Sequence, residues 1–249
     1  MGNLRDLSLL SEHLSSCRCV VFDLDDTLYL ERDYVRSGFC AIDAWVAEKI
    51  GIQGFGTLCW QLFEDGRRRD IFNVALEVNG VTADNALIRA LVDVYRNHVP
   101  EITLLPDAMK CLGALKGRAE QCLITDGPPI SQRCKMTALG LQGQFSLAVL
   151  TGEWGQEFSK PHPRAFVAVQ SALSMEGKSC MYVADNPLKD FGAPAGLGWF
   201  TVRVRRAGGQ YRDLPNPDIA PSFECENLLA LAEAFNTNAF QCGASNRGT

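Results

Sequence analysis

The sequence predicts an α/β protein: a Rossmann-like, mostly parallel sheet core with an α-helical cap domain inserted into it. Three observations carry this reading. Apolar runs of strand length recur at 19–24, 121–125, 146–150, 180–184 and 199–204. The later runs alternate with segments of helical periodicity, the pattern of right-handed βαβ units. After the first run, no second strand pattern occurs until about residue 121, and the roughly seventy intervening helical residues are too many for a simple crossover.

The elements follow in order. "CVVFDL" opens the sheet with Val20, Val21 and Phe22. Four helical segments succeed it: "DYVRSGFCAIDAWVAEKIG", "GTLCWQLFEDG", "RRDIFNVALEVNG" and "ADNALIRALVDVYRNHV", with Gly51, Gly66 and Gly80 as breaks between them. Residues 106–117 return the chain to the sheet at "QCLIT". Helices are then expected at 129–140, ending on Gly140, at 161–173 and at 187–198, each with proline in its first turn. The expected boundaries are a core of 1–30 plus 104–235, a cap of 31–103, and a polar, frayed tail over 236–249.

Composition narrows the functional class. The 249 residues are 47% hydrophobic and 21% charged, as in ordinary soluble domains, and carry a formal net charge of -5. That charge argues against a nucleic-acid partner held on a basic surface. No apolar run reaches membrane-spanning length, the opening residues make a poor secretory signal, and Asp6 stands where a myristoylation signal wants Ser or Thr. Ten cysteines are scattered without a C-x-x-C pair, and three histidines are too few for a structural zinc site. The cysteines read as small buried hydrophobes in a reducing compartment, so a cytoplasmic protein is expected.

The chemistry is expected at the carboxyl ends of the strands, where parallel α/β sheets bind ligands. Asp23, Asp25 and Asp26 follow the first run, and Thr125 and Asp126 follow the second. Lys160 precedes Pro161, and Asp185, Asn186 and Asp190 follow the fourth run. Taken singly, each has a mundane role as a helix cap, a strand-end hydroxyl or a solvated cation. Together they suit phosphoryl transfer. A carboxylate attacks phosphorus, a second carboxylic acid protonates the leaving alkoxide, and a hard cation such as Mg²⁺, a lysine and a hydroxyl screen the charge. A bound cation also explains how three neighbouring carboxylates are tolerated.

These residues resemble the motifs of the haloacid dehalogenase superfamily of phosphohydrolases. The D-x-D-x-T motif stands as Asp23 to Thr27. The strand-end hydroxyl is Thr125, the motif lysine is Lys160 in "KPHPRAF", and the acidic motif is Asp185 in "ADNPLKD" with Asp190 after it. The inserted helices are similar to the family's type 1 cap. The resemblance implies Asp23 as nucleophile and metal ligand, and Asp25 as acid/base with its backbone carbonyl on Mg²⁺. It further implies Thr125 and Lys160 at the phosphoryl group, Asp185 as metal ligand, and Asp190 and Asn186 behind it. Asp126, where the family often has Asn, is placed beside the phosphate with its role open. Ala184 replaces a frequent glycine.

The expected function is Mg²⁺-dependent hydrolysis of a small phosphomonoester, a sugar or related metabolite phosphate, through an aspartyl-phosphate. Phosphomutase and haloacid dehalogenase chemistry are the alternatives within the superfamily. A non-catalytic phospho-accepting module is the alternative outside it, although such domains are about half this length. Substrate selectivity is expected from the cap, with Arg36, Arg67, Arg68 and Arg69 as candidate contacts, each set against the ordinary reading of a solvated charge run. Oligomeric state is left open.

Overall fold

The computed structural model describes residue 10, residues 12–216 and residues 218–244, with side chains as far as 237. Residues 1–9, where the signal and myristoylation readings fall, and residues 245–249 of the expected tail lie outside the described residues. The chain divides into two compact units, one of residues 1–31, 103–132 and 141–249, the other of residues 32–102 and 133–140.

The first unit is built on a parallel sheet of β1 (Cys19–Phe22), β2 (Glu120–Thr125), β3 (Leu147–Leu150), β4 (Cys180–Ala184), β5 (Phe200–Val204) and β6 (Phe223–Cys225), in the order β3-β2-β1-β4-β5-β6. β1, β3 and β4 are continuous apolar runs because a parallel sheet is covered on both faces. On one face Cys19, Val21, Cys122, Ile124 and Tyr182 pack with Phe166, Phe191 and Trp199. The direction of strand order reverses between β1 and β4, which is where such sheets form a ligand crevice. β1 pairs in register with both β2 and β4, so Asp23, Asp126 and Asp185 all emerge at the same end.

Three expectations for this unit need correction. β6 has no counterpart among the five runs: it is three residues long, and its central Glu224 is kept in the sheet by an ion pair with Arg205. The helix expected at 161–173 begins only at Arg164, whose amide is taken by the His162 imidazole at 3.1 Å. The helix expected at 187–198 shrinks to Gly192–Gly196, because Asn186 and Asp190 hold the preceding residues in a turn. In addition, the last helix spans Leu229–Ala244, so the segment expected as a frayed tail is helical to that residue.

After β5 the chain forms a loop braced by three arginines. Arg203, fully buried, donates to the carbonyls of Tyr211 and Leu214, both at 2.9 Å. Arg205 donates to the carbonyl of Arg212 at 2.7 Å. Arg206 donates to the Thr27 carbonyl and forms a buried ion pair with Asp107 at 2.7 Å. Removing one partner of a buried pair strands the other charge. Arg206→Met is therefore expected to lower stability by about 3 kcal/mol or more, read from urea unfolding, whereas loss of an exposed pair would register under about 1 kcal/mol.

The second unit is helical: α1 (Glu31–Lys49), α2 (Phe55–Glu64), α3 (Ile71–Val78) and α4 (Asn85–Asn97). Val35, Phe39, Ile42 and Val46 recur at helical spacing on α1 and join Phe55, Cys59, Leu76 and Leu91 in one core. Asp84 caps α4 by accepting from the amides of Ala86 and Leu87 at 2.9 and 2.8 Å. The four helices coincide closely with the four periodic segments. Residues 133–140, the end of α6 (Pro129–Ala138, preceded in the first unit by α5, Pro106–Leu115) and the two residues after it, group with this unit as well. Among the described residues no helix is long and apolar enough to cross a membrane.

Candidate active site

The loop after β1 supplies the densest chemistry. Asp23 is 4% exposed, and its Oδ1 accepts from the Leu24 amide at 2.8 Å and from the Lys160 ammonium at 2.9 Å. Its Oδ2 accepts no hydrogen bond from the described residues. Burial pushes the Asp23 carboxyl above the usual range; the Lys160 ammonium pulls it back, and Asp190 pushes it up further. Asp26 takes a left-handed backbone conformation, φ 51°, and accepts from the amides of Glu31 and Gln210 at 2.9 and 2.8 Å. It therefore ties the loop after β1 to the arginine-braced loop after β5.

Asp25 points elsewhere. Its Oδ1 accepts from the Tyr29 hydroxyl, and its Oδ2 accepts from the Gln132 side-chain amide at 3.0 Å. The same Gln132 amide donates to the Thr125 hydroxyl oxygen. Thr125, fully buried at the end of β2, is thus left with its own proton to donate. The turn after Thr125 requires close backbone packing: a Cβ on Gly152 would lie 2.2 Å from the Gly127 carbonyl oxygen.

Lys160 is buried, and its ammonium also meets Asp190 Oδ1 and the Tyr182 hydroxyl, each at 2.9 Å. Burial works against its charge, but Asp190 and Asp23 outweigh burial and hold it well above the ordinary lysine range. Asp190 Oδ2 accepts from the Asn186 amide at 3.0 Å, and Asn186 Oδ1 accepts from the Leu188 amide at 2.9 Å. The Asp185 carboxylate has no hydrogen bond or ion pair with the described residues although the residue is 6% exposed. Burial and the neighbouring Asp190, Asp23 and Asp26 carboxylates push its carboxyl well above the usual range.

Oxygens of Asp23, Asp185 and Asp190 lie within 4.8 Å of one another. The set contains the expected ligands Asp23 and Asp185 together with Asp190, which was expected behind them and whose two oxygens already have protein donors. The Asp25 side chain lies apart, held by Tyr29 and Gln132, and only its backbone carbonyl was expected at the cation. An all-oxygen donor set with an unpartnered buried carboxylate fits a hard divalent cation such as Mg²⁺.

Asp126 lies at the expected end of β2, and its side chain is an acceptor bound by the Thr151 hydroxyl at 2.8 Å, the Lys160 amide at 3.2 Å and the Lys189 ammonium at 2.8 Å. Burial alone would raise its carboxyl, but Lys160 and Lys189 hold it below the ordinary range. A pocket of about 200 Å³ opens among Asp23, Asp25, Glu31, Asp185, Lys189 and Tyr211, with Asp26, Asp126, Gly127 and Asn186 completing its wall. Tyr29, Gln132, Lys189 and Tyr211 are the residues that motif spacing alone did not find.

In the helical unit the candidate arginines serve local contacts. Arg36 lies over the Trp60 ring at 5.6 Å, Arg67 pairs with Asp70 at 3.1 Å, and Arg68 lies over the Phe63 ring at 4.0 Å. Arg69 is exposed.

A family model described as haloacid dehalogenase-like hydrolase matches residues 17–198, which contain every residue of the carboxylate and lysine cluster. The chain belongs to this hydrolase family. Among curated relatives of this haloacid dehalogenase-like chain, a phosphoserine phosphatase of Thermus thermophilus is 33% identical over 67% of the chain. That match spans 65% of the Thermus protein's own length. A glyceraldehyde 3-phosphate phosphatase of Methanocaldococcus jannaschii is 25% identical over 80% of the chain and 89% of the relative. Among solved structures, the HAD-hydrolase YfnB of Bacillus subtilis superposes with a TM-score of 0.65 at 20% identity, covering 88% of this chain and 99% of that one. An L-2-haloacid dehalogenase of Xanthobacter autotrophicus superposes at 0.58 with 19% identity over 88% and 98% of the two chains. These superpositions establish a shared fold.

Proposed function

We propose that this haloacid dehalogenase-like chain is a Mg²⁺-dependent phosphomonoesterase that hydrolyses a small phosphorylated metabolite, a sugar phosphate or a related compound, in the cytoplasm. The observation that carries the reading is the gathering of Asp23, Asp185 and Asp190 at the β1–β4 switch point, with Lys160 fixing Asp23 and a second carboxylate, Asp25, two residues away. The phosphatase names of both curated relatives support it.

Asp23 Oδ2 attacks phosphorus, the bond from phosphorus to the ester oxygen breaks, and Asp25 supplies the proton that the departing alkoxide needs. In the second half, Asp25 takes a proton from water, the water oxygen attacks phosphorus, and the acyl-phosphate bond breaks to release inorganic phosphate and Asp23. Tyr29 and Gln132 hold Asp25 for both transfers, and Thr125 offers its hydroxyl proton to the phosphoryl group. Asp23 and Asp185, with the Asp25 backbone carbonyl and with Asp190 behind them, would hold Mg²⁺. When bound, it supplies positive charge that offsets the meeting of an anion with a dianion.

The test is turnover of p-nitrophenyl phosphate and a panel of sugar phosphates with Mg²⁺ and with excess chelator. Phosphate release that chelator abolishes is expected. Halide release from 2-haloacids without phosphate release would replace this reading with dehalogenation. A separate expectation concerns folding alone. A cation bound only by the native state stabilises it by about 2.7 kcal/mol at one hundred times its dissociation constant. The melting temperature is therefore expected to rise with Mg²⁺, and Asp185→Asn is expected to remove most of the rise. A melting temperature indifferent to Mg²⁺ would count against the cation.

A further inference from the structure

An ammonium has three N–H bonds. Those of Lys160 meet three oxygens, on Asp23, Asp190 and Tyr182, each at 2.9 Å, and its side chain is wholly buried. No N–H of Lys160 is left for a phosphoryl oxygen in this arrangement. Lys160 is also absent from the pocket wall.

Lys189 is placed differently. Its ammonium has one partner among the described residues, Asp126 Oδ2 at 2.8 Å, and its side chain is 30% exposed. It lines the pocket together with Asp23 and Asp185. Two of its N–H bonds are uncommitted. Asp126 is itself fixed by the Thr151 hydroxyl and the Lys160 amide, so Lys189 is held by an anchored anion at the pocket wall. Apart from Lys189, the charged residues lining the pocket are carboxylates, namely Asp23, Asp25, Asp26, Glu31, Asp126 and Asp185. A protein cation there would add to the charge of a metal in holding a dianionic ligand.

We propose that Lys189 brings an ammonium of its own to the phosphoryl oxygens of the substrate and of product phosphate, with Lys160 fixing the nucleophile Asp23. The inference rests on the phosphomonoesterase reading. The competing account is that Lys189 only neutralises Asp126. The two differ in one respect: a neutralising lysine is needed only while Asp126 is charged.

The experiment uses the full chain with saturating Mg²⁺ and two readouts, calorimetric binding of inorganic phosphate and kcat/KM for p-nitrophenyl phosphate. Lys189→Met is expected to weaken phosphate binding at least tenfold and to lower kcat/KM by on the order of a hundredfold. Lys189→Arg is expected to recover part of both. In an Asp126→Asn background, Lys189→Met is expected to cost as much as it does in the native chain. Lys189→Gln serves as a second charge-removing variant if circular dichroism shows the Met variant misfolded. Phosphate binding within twofold of native in Lys189→Met or Lys189→Gln would overturn the proposal. So would disappearance of the Lys189→Met effect once Asp126 is Asn. A native chain that binds phosphate but does not hydrolyse the ester overturns the hydrolytic reading while the Lys189 contrast stays readable in binding. A native chain that does neither overturns both.

Discussion

Asp23→Asn is expected to lower kcat for phosphomonoester hydrolysis by about five decades or more while leaving the protein folded. The magnitude follows from removing the attacking atom: an amide oxygen is a very weak nucleophile, and loss of a nucleophile commonly costs nearly all of the rate enhancement. The fold should tolerate the change, because Asn can keep an oxygen toward the Leu24 amide. It also removes one negative charge from a crowded cluster whose members repel, so the melting temperature without metal is expected to stay level or rise. A variant that keeps more than about one-hundredth of native kcat, with contamination excluded by single-turnover measurement, would remove Asp23 from the nucleophile's role.

Asp25→Asn is expected to divide substrates by their leaving groups. It leaves Asp23 and the lysines in place and removes the proton donor. The loss for an alkyl phosphate is expected to reach about four decades, because a strongly basic alkoxide cannot depart unprotonated. For p-nitrophenyl phosphate, whose phenolate departs unaided, the first half-reaction should lose far less, about two decades. Hydrolysis of the acyl phosphate then becomes slow, since no carboxylate takes the proton from water, and phosphorylated protein should accumulate. If Asp25 only shaped the loop through Tyr29 and Gln132, both substrates would lose rate equally. Equal losses would therefore reassign it.

The family motifs were legible because each is local. Asp23, Thr125 and Asp185 each end an apolar run, and strand ends in a parallel sheet converge whatever the intervening sequence does. The helices of the second unit were legible for the same reason, since periodicity is read within one helix. What stayed hidden depends on partners far apart in the chain. Gln132 is an unremarkable helix residue until the sheet brings it to Asp25, 107 positions away. Arg206 reads as a surface cation until it meets the Thr27 carbonyl, 179 positions away. Lys189 stood in plain view inside "ADNPLKD", but its pairing with Asp126 needs β2 and the turn after β4 to be placed in space. β6 was missed because three residues with a central glutamate carry no strand pattern until Arg205 neutralises the charge. The turn at 186–190 carries no sequence signal that separates it from the helix expected at 187–198, because its side chains, rather than its backbone periodicity, set its shape.

On the proposed mechanism, phosphorus becomes covalently attached to Asp23 during turnover. This attachment is tested most directly by quenching Asp25→Asn during reaction with p-nitrophenyl phosphate, reducing the protein with borohydride and sequencing its peptides by mass spectrometry. Borohydride converts an acyl phosphate to homoserine and leaves free carboxylates untouched. Homoserine is expected at position 23, dependent on both substrate and Mg²⁺, and absent when Asp23 is also Asn. Reduction at another carboxylate, or none while ester is demonstrably consumed, would contradict the mechanism.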